Sequence, residues 1–355
     1  MSRRDDIGAT ARRMIRHAVI TALLWVLQSG CAAQAADVQW RGVNISGAEL
    51  NYSRGHPGRL SFDYIYPSDR ELDYFADKGA NIIRVPVRWE RLQQEIGGEL
   101  DPKELASLKH VIDYAARRKL SVIVDIHNFG SYRDQKLGSE GVPDDALAKL
   151  WAPLAHEFRT NPRVIFGLMN EPIGVSPELL AKASQAAIDE IRQTGAQNTI
   201  LVPGAGWSSA YNFVSGSAAA LGTIHDPAQH WAYEVHQYFD SNRSGVHADC
   251  AAAADAVGML TEVTQWASAH QAKLFLGEFA VGRSDDCLAA LSALLTYLSQ
   301  NQATWQGWTF WAGGPWWGDY HFTLEPLNGT DRPQMGVLQR LLRNTPVGPE
   351  TGATH

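Results

Sequence analysis

Two short stretches place carboxylates where chemistry is done. Val164-Ile165-Phe166-Gly167-Leu168-Met169 reads as a strand buried on both faces, and it halts at Asn170-Glu171-Pro172 because proline cannot continue a central ladder. Leu274-Phe275-Leu276-Gly277 repeats the design and ends on Glu278. Each run leaves a glutamate at the carboxyl end of a strand, the edge at which α/β sheets and barrels carry their active sites. One strand ending in a polar residue is commonplace. Two ending in glutamate supply the pair of carboxyls that glycoside hydrolysis needs, one to donate a proton and one to attack.

Six further strand signals surround these two. They cover residues 38–45, 81–87, 120–126, 199–203, 231–236 and 305–311. Helix signals alternate with them. Ser68 with Glu71 forms a capping box and Gly79 ends that helix. Asp101-Pro102 opens the next, with Leu105, Leu108, Val111, Ile112 and Ala115 on its inner stripe. Helices follow at about 144–158, after Ser176-Pro177, and at 251–270, 287–301 and 332–342. Eight strand–helix units in about 300 residues predict a (β/α)8 TIM barrel. An open doubly wound sheet gathers its chemistry at one switch point. Here polar or aromatic residues end six of the strands, which favours the barrel.

Those strand ends are Arg84, His127, Asn170 with Glu171, His236 with Tyr238, Glu278 and Trp311. Taken singly, the arginine would pass as a surface charge, each histidine as a satisfied structural group, and the tryptophan as core. Their convergence on one barrel mouth argues for a site. Twelve tryptophans are present, and Trp207, Trp316 and Trp317 fall in predicted loops at that mouth. Pyranose faces pack their C–H groups on aromatic rings, so a glycan groove accounts for them; covering the barrel rim is the plainer alternative.

Together these positions resemble glycoside hydrolase family 5, a family of retaining β-glycanases, over residues 38–342. The motif Asn170-Glu171-Pro172 with Glu278 belongs to the wider superfamily of such barrels. Arg84 after Ile82-Ile83, His127 in Asp-Ile-His-Asn, His236-Gln237-Tyr238 and Trp311 narrow it. The stretch from Trp311 to Tyr320 resembles the eighth-strand loop of the family's endo-β-1,4-glucanases, except that Gly313-Gly314 replaces the usual Ala-Gly. The resemblance implies that Glu171 is general acid and then base, and that Glu278 is the nucleophile. Asn170 would hold the sugar 2-hydroxyl, Arg84 and Tyr238 would support the nucleophile, and His236 would sit beside the acid/base. His127 would bind sugar hydroxyls and Trp311 would floor the reacting subsite. Trp207 and Trp317 are the expected outer platforms. The substrate implied is a β-1,4-glucan. Mannan, mixed-linkage glucan and xyloglucan are the alternatives within the class. No cofactor and no metal are expected.

Other classes fit less well. Asp125, His127 and His236 could ligate a metal, but the first strand lacks a His-x-His pair. A non-catalytic glycan-binding barrel has no need of both glutamates. The net charge of −7 gives no nucleic-acid footprint.

Residues 1–35 are read as a leader. Arg3, Arg4, Arg12, Arg13 and Arg16 precede a short apolar run and Ala33-Gln34-Ala35, an A-x-A signal, so cleavage and export are expected. The run is too short to span a bilayer. The leader carries +3 of the total and the rest of the chain −10, which suits neutral substrates better than anionic ones. Ser29-Gly30-Cys31 also resembles a lipoprotein processing site, leaving lipidation of Cys31 as a second possibility. An exported chain left with Cys250 and Cys287 is expected to join them in a disulfide. Residues 36–345 are read as one catalytic domain acting as a monomer, and 346–355 as a loose tail.

Overall fold

The computed structural model describes residues 39–53 and 56–343; the expected leader, the Cys31 site and the tail from 346 lie outside them. Eight parallel strands close a barrel: β1 (Trp40–Ile45), β2 (Ile82–Val87), β3 (Ser121–Ile126), β4 (Val164–Gly167), β5 (Ile200–Pro203), β6 (Trp231–Tyr238), β7 (Leu274–Ala280) and β8 (Trp305–Gly313). Each pairs with its sequence neighbours, and β8 closes on β1. The (β/α)8 expectation is met.

Helices cover the outside: α1 (Asp69–Lys78), α2 (Pro102–Arg117), α3 (Ala146–Phe158), α4 (Pro177–Gln193), α5 (Ala253–Ala269), α6 (Asp285–Gln300) and α7 (Pro333–Leu342). The caps behave as the sequence implies. Ser68 and Glu71 close their capping box, Gly79 ends α1 in the left-handed region at φ 101°, and Ser176 caps α4 with proline in its first turn. Between β5 and β6 no long helix stands. Two single turns, Phe213–Gly216 and Ala218–Leu221, take its place. Residues 204–222 are rich in Gly, Ser and Ala and carry no helical stripe long enough to dock.

Strand alternation sorts the interior into layers. Ile82, Ile123, Ile165, Leu201, Ala232 and Phe275 form a buried apolar plug inside the barrel, with Trp40 against it. Their neighbours, such as Ile83, Val122, Phe166 and Val202, belong instead to the larger cluster under the helices. Two residues beyond the plug on the same strands come Arg84, Asp125 and Glu234, joined by Asn44 and Thr309, all buried. Gly277 occupies the β7 position of this layer. A Cβ there would lie 2.1 Å from a carboxylate oxygen of Glu234, so only glycine leaves room for that side chain.

Candidate active site

Arg84 organises the charged layer from β2. Its guanidinium bonds Asn44 Oδ1 and Glu278 Oε1, both at 2.9 Å, and Asn170 Oδ1 at 2.7 Å. It also pairs with Asp125 Oδ1 at 3.0 Å and Glu234 Oε1 at 2.9 Å. Burial would strip its proton, but the surrounding carboxylates outweigh burial and raise its pKa. One cation thus anchors a ring of acids drawn from β3, β6 and β7.

On that floor stand the two glutamates. Glu278 Oε2 accepts from Tyr238 Oη at 2.8 Å while Oε1 takes the Arg84 bond. Glu171 follows β4 with φ 42°, a conformation uncommon for a residue with a side chain. Its Oε1 lies 2.9 Å from Nδ1 of His236, whose Nε2 is 3.3 Å from Glu234 Oε1. Burial alone would lower the His236 pKa. The carboxylates of Glu278, Glu171 and Glu234 outweigh it and push it up to about 10, so the ring is an imidazolium donating from both nitrogens. The ligand atoms of Glu171, His236 and Glu278 all lie within 4.8 Å of one another, close enough to grip a cation.

His127 is the opposite case. Burial pushes its pKa down to about 4, so the ring is neutral. Nδ1 donates to Asp125 Oδ2 at 2.8 Å, which leaves Nε2 to accept from Asn170 Nδ2 at 3.3 Å. Burial likewise raises Asp125, up to about 7, against the pull of Arg84. Trp311 stacks on the His127 ring with centroids 5.7 Å apart and planes 17° apart.

A cleft of about 620 Å³ opens above these groups. Glu171, His236, Glu278, His127 and Trp311 form its floor, and Trp207, Asn212, Arg243 and Tyr320 stand along its sides. Trp207 is 51% exposed and edge-on to Phe129. Trp317 is half-buried; it meets the edge of Trp311 and stacks with Tyr320, which lines the cleft. Cys250 and Cys287 form the expected disulfide.

Asn44, Glu234, Phe129, Arg243 and Tyr320 were not singled out from sequence. Glu234 had a signal, since it lies two residues before His236 and must share its inward face. Asn44 had a weaker one, as a lone polar residue near the end of β1. Arg243 sits in a loop with no periodicity to read.

Comparisons with known proteins give the family. Residues 31–314 match the family described as Cellulase (glycosyl hydrolase family 5). The endo-beta-1,4-glucanase B of Aspergillus niger is 34% identical over 303 residues, 85% of this chain and 89% of that one. A crystal structure of an endo-beta-1,4-glucanase from Xanthomonas axonopodis pv. citri superposes with a TM-score of 0.84 at 43% identity, covering 86% of this chain and 99% of that one. The Pseudomonas stutzeri endoglucanase Cel5A, solved with cellobiose, gives 0.80 at 36% identity, covering 89% and 97%. The chain therefore belongs to the cellulases of glycosyl hydrolase family 5.

Proposed function

We propose that this protein is an exported endo-β-1,4-glucanase that cleaves internal bonds of cellulose or soluble β-glucans by double displacement. Glu278 is the nucleophile and Glu171 the acid and then the base. One observation carries the assignment of mechanism: carboxyl oxygens of the two glutamates lie within 4.8 Å. That is the separation suited to a covalent intermediate, since inversion needs a wider gap to hold a water. The partners divide the roles. Glu278 is held by Arg84 and Tyr238 at both oxygens, as an ionised attacking group requires. Glu171 borders the cleft and has His236 at one oxygen.

The cycle follows from the two roles. Glu278 attacks the anomeric carbon while Glu171 gives its proton to the glycosidic oxygen, which departs with the leaving sugar and leaves a glycosyl ester on Glu278. Glu171 then takes a proton from the hydrolytic water, whose oxygen displaces Glu278 from the sugar. Asn170, fixed between Arg84 and His127, presents its amide to the sugar 2-hydroxyl. Trp311 floors the reacting subsite. The substrate carries no charge, in keeping with an acidic chain and a glucan partner.

Azide rescue tests the roles. Glu278→Gly is expected to lose glucanase activity and, with azide, to yield an α-glycosyl azide by a single inversion. Glu171→Ala with a good leaving group is expected to yield the β-glycosyl azide by two inversions. Proton NMR of the anomeric coupling reads both, and the reversed pairing would swap the assignments. A panel of carboxymethylcellulose, mannan, xyloglucan and mixed-linkage glucan tests the substrate, with carboxymethylcellulose expected to be cut and its chains shortened internally.

A further inference from the structure

The loop after β6, residues 239–250, supplies Asn242, Arg243, Ser244 and Gly245 to the cleft. It stands on the side of the acid/base. The backbone N–H of Trp207, on the neighbouring loop, donates to Pro172 O beside Glu171, and Arg243 lies 4.0 Å over the Tyr211 ring of that same loop. A leaving group protonated by Glu171 departs along this wall.

The loop has its own internal frame. Asp240 is buried and accepts from the backbone N–H groups of Gly245, Val246 and His247 and from Ser244 Oγ. Gly245 presses on the Tyr238 ring, where a Cβ would come within 2.8–2.9 Å of ring carbons, and its φ is 73°. The same Tyr238 bonds the nucleophile. Tyr320 donates to Gly245 O at 3.2 Å and stacks on Trp317. This frame fixes the shape of the loop and seats it at Gly245 against Tyr238 and Tyr320.

A second, covalent anchor lies at the far stem. Cys250 bonds Cys287 in the first turn of α6, where Ser284 caps the helix through the Cys287 N–H. Gly282 N donates to Cys250 Sγ, and a Cβ on Gly282 would meet Ala248 O at 2.0 Å. The wall is thus tied to the segment that follows β7, meeting it at Gly282, four residues after Glu278.

We propose that the Cys250–Cys287 bond is a positioning device for the leaving-group side of the cleft, holding the 239–250 wall at a set distance from Glu278 and so governing grip on the departing sugars. The inference rests on the glucanase reading above. It separates two substrates. Cellohexaose fills the wall, whereas the phenol of an aryl β-cellobioside is too short to reach along it.

In the Cys250→Ser/Cys287→Ser double variant, KM for cellohexaose is expected to rise about five- to tenfold with a shifted product pattern, while kcat/KM for the aryl cellobioside stays within about twofold. Mild reduction of the folded wild-type chain opens the same bond without a substitution. It is expected to show the same split, and it serves if the double variant does not fold. A lower Tm with unchanged cellohexaose KM and products would make the bond structural only and overturn the proposal. So would equal losses on both substrates, or no split in the reduced chain once thiol titration shows both cysteines free. A wild-type chain inactive on both substrates would instead overturn the reading of the site on which this rests.

Discussion

Two layers inside the same barrel differ by one step of the strand repeat. The lower is Ile82, Ile123, Ile165, Leu201, Ala232 and Phe275; the upper holds Arg84, Asp125 and Glu234 on the same strands, with Asn44 and Thr309. Both are buried, yet they do opposite work. The lower layer removes apolar surface from water and stabilises. The upper layer buries charges, whose desolvation their mutual attraction only offsets when the geometry is good. Stability alone would fill both layers with aliphatics. The upper one is retained as a fixed electrostatic floor, pre-oriented before substrate arrives.

Deleting one member of each layer gives the largest expected contrast. Arg84→Met leaves Asp125, Glu234 and Glu278 without their cation and should cost about 3–5 kcal/mol in stability. Its kcat should also fall by roughly 10²-fold or more, because Glu278, the proposed nucleophile, loses its cationic partner. Ile123→Ala should cost about 2–5 kcal/mol by opening a cavity, yet leave kcat within about twofold. Urea titration and steady-state kinetics on both variants check this. Comparable kcat losses in the two would erase the distinction between the layers.

The charged layer should also announce itself in the pH dependence of stability, a smaller effect. His236 has a folded pKa of about 10, above the ordinary imidazole value near 6.5. A raised folded pKa contributes stability that is fully present below the unfolded value and is lost as pH rises through the folded one. Below pH 7 the signal is mixed. His127, depressed to about 4, loses stability as pH falls, while Asp125, raised to about 7, loses it as pH rises. Above pH 9 the tyrosines of the unfolded chain begin to ionise. Between pH 7 and 9, then, stability should decline with pH, and His236→Asn should flatten the decline. A slope unchanged in that variant would mean His236 is not charged in the folded protein.

Much of this was readable in the sequence because it is local. Apolar runs of strand length and the caps at Ser68, Asp101 and Ser176 give the barrel its repeat. Glu171 and Glu278 stand out because each ends a run whose other members are apolar. What escaped is non-local. Glu234 matters through Arg84, a residue four strands away around the barrel, and no spacing rule links them. The 239–250 loop takes its form from Asp240 gathering three backbone N–H groups, and a lone aspartate does not advertise that. The surroundings of Trp317 are non-local in the same way: in the β8 loop it stacks with Tyr320 and meets the edge of Trp311.

The smallest expected effect lies at the rim and sharpens the contrast most. Trp207 has φ 64°, with its N–H on Pro172 O, so its backbone is held beside the catalytic motif whatever the side chain. Replacing it with alanine keeps that left-handed conformation in an ordinary residue and removes only the ring. The ring is half exposed and touches Phe129 by its edge, so little packing is lost and Tm should stay within a degree or so of the parent. A sugar stacked there would lose an aromatic contact worth about 0.5–1.5 kcal/mol, which corresponds to a KM for cellohexaose roughly two- to tenfold higher. The charged floor is untouched, so kcat should hold. Trp311→Ala should differ, because Trp311 stacks on His127 and is the proposed floor of the reacting subsite: its kcat should fall along with binding. Should Trp207→Ala lower kcat while KM stays put, the rim would be part of the reacting site rather than a handle for the chain.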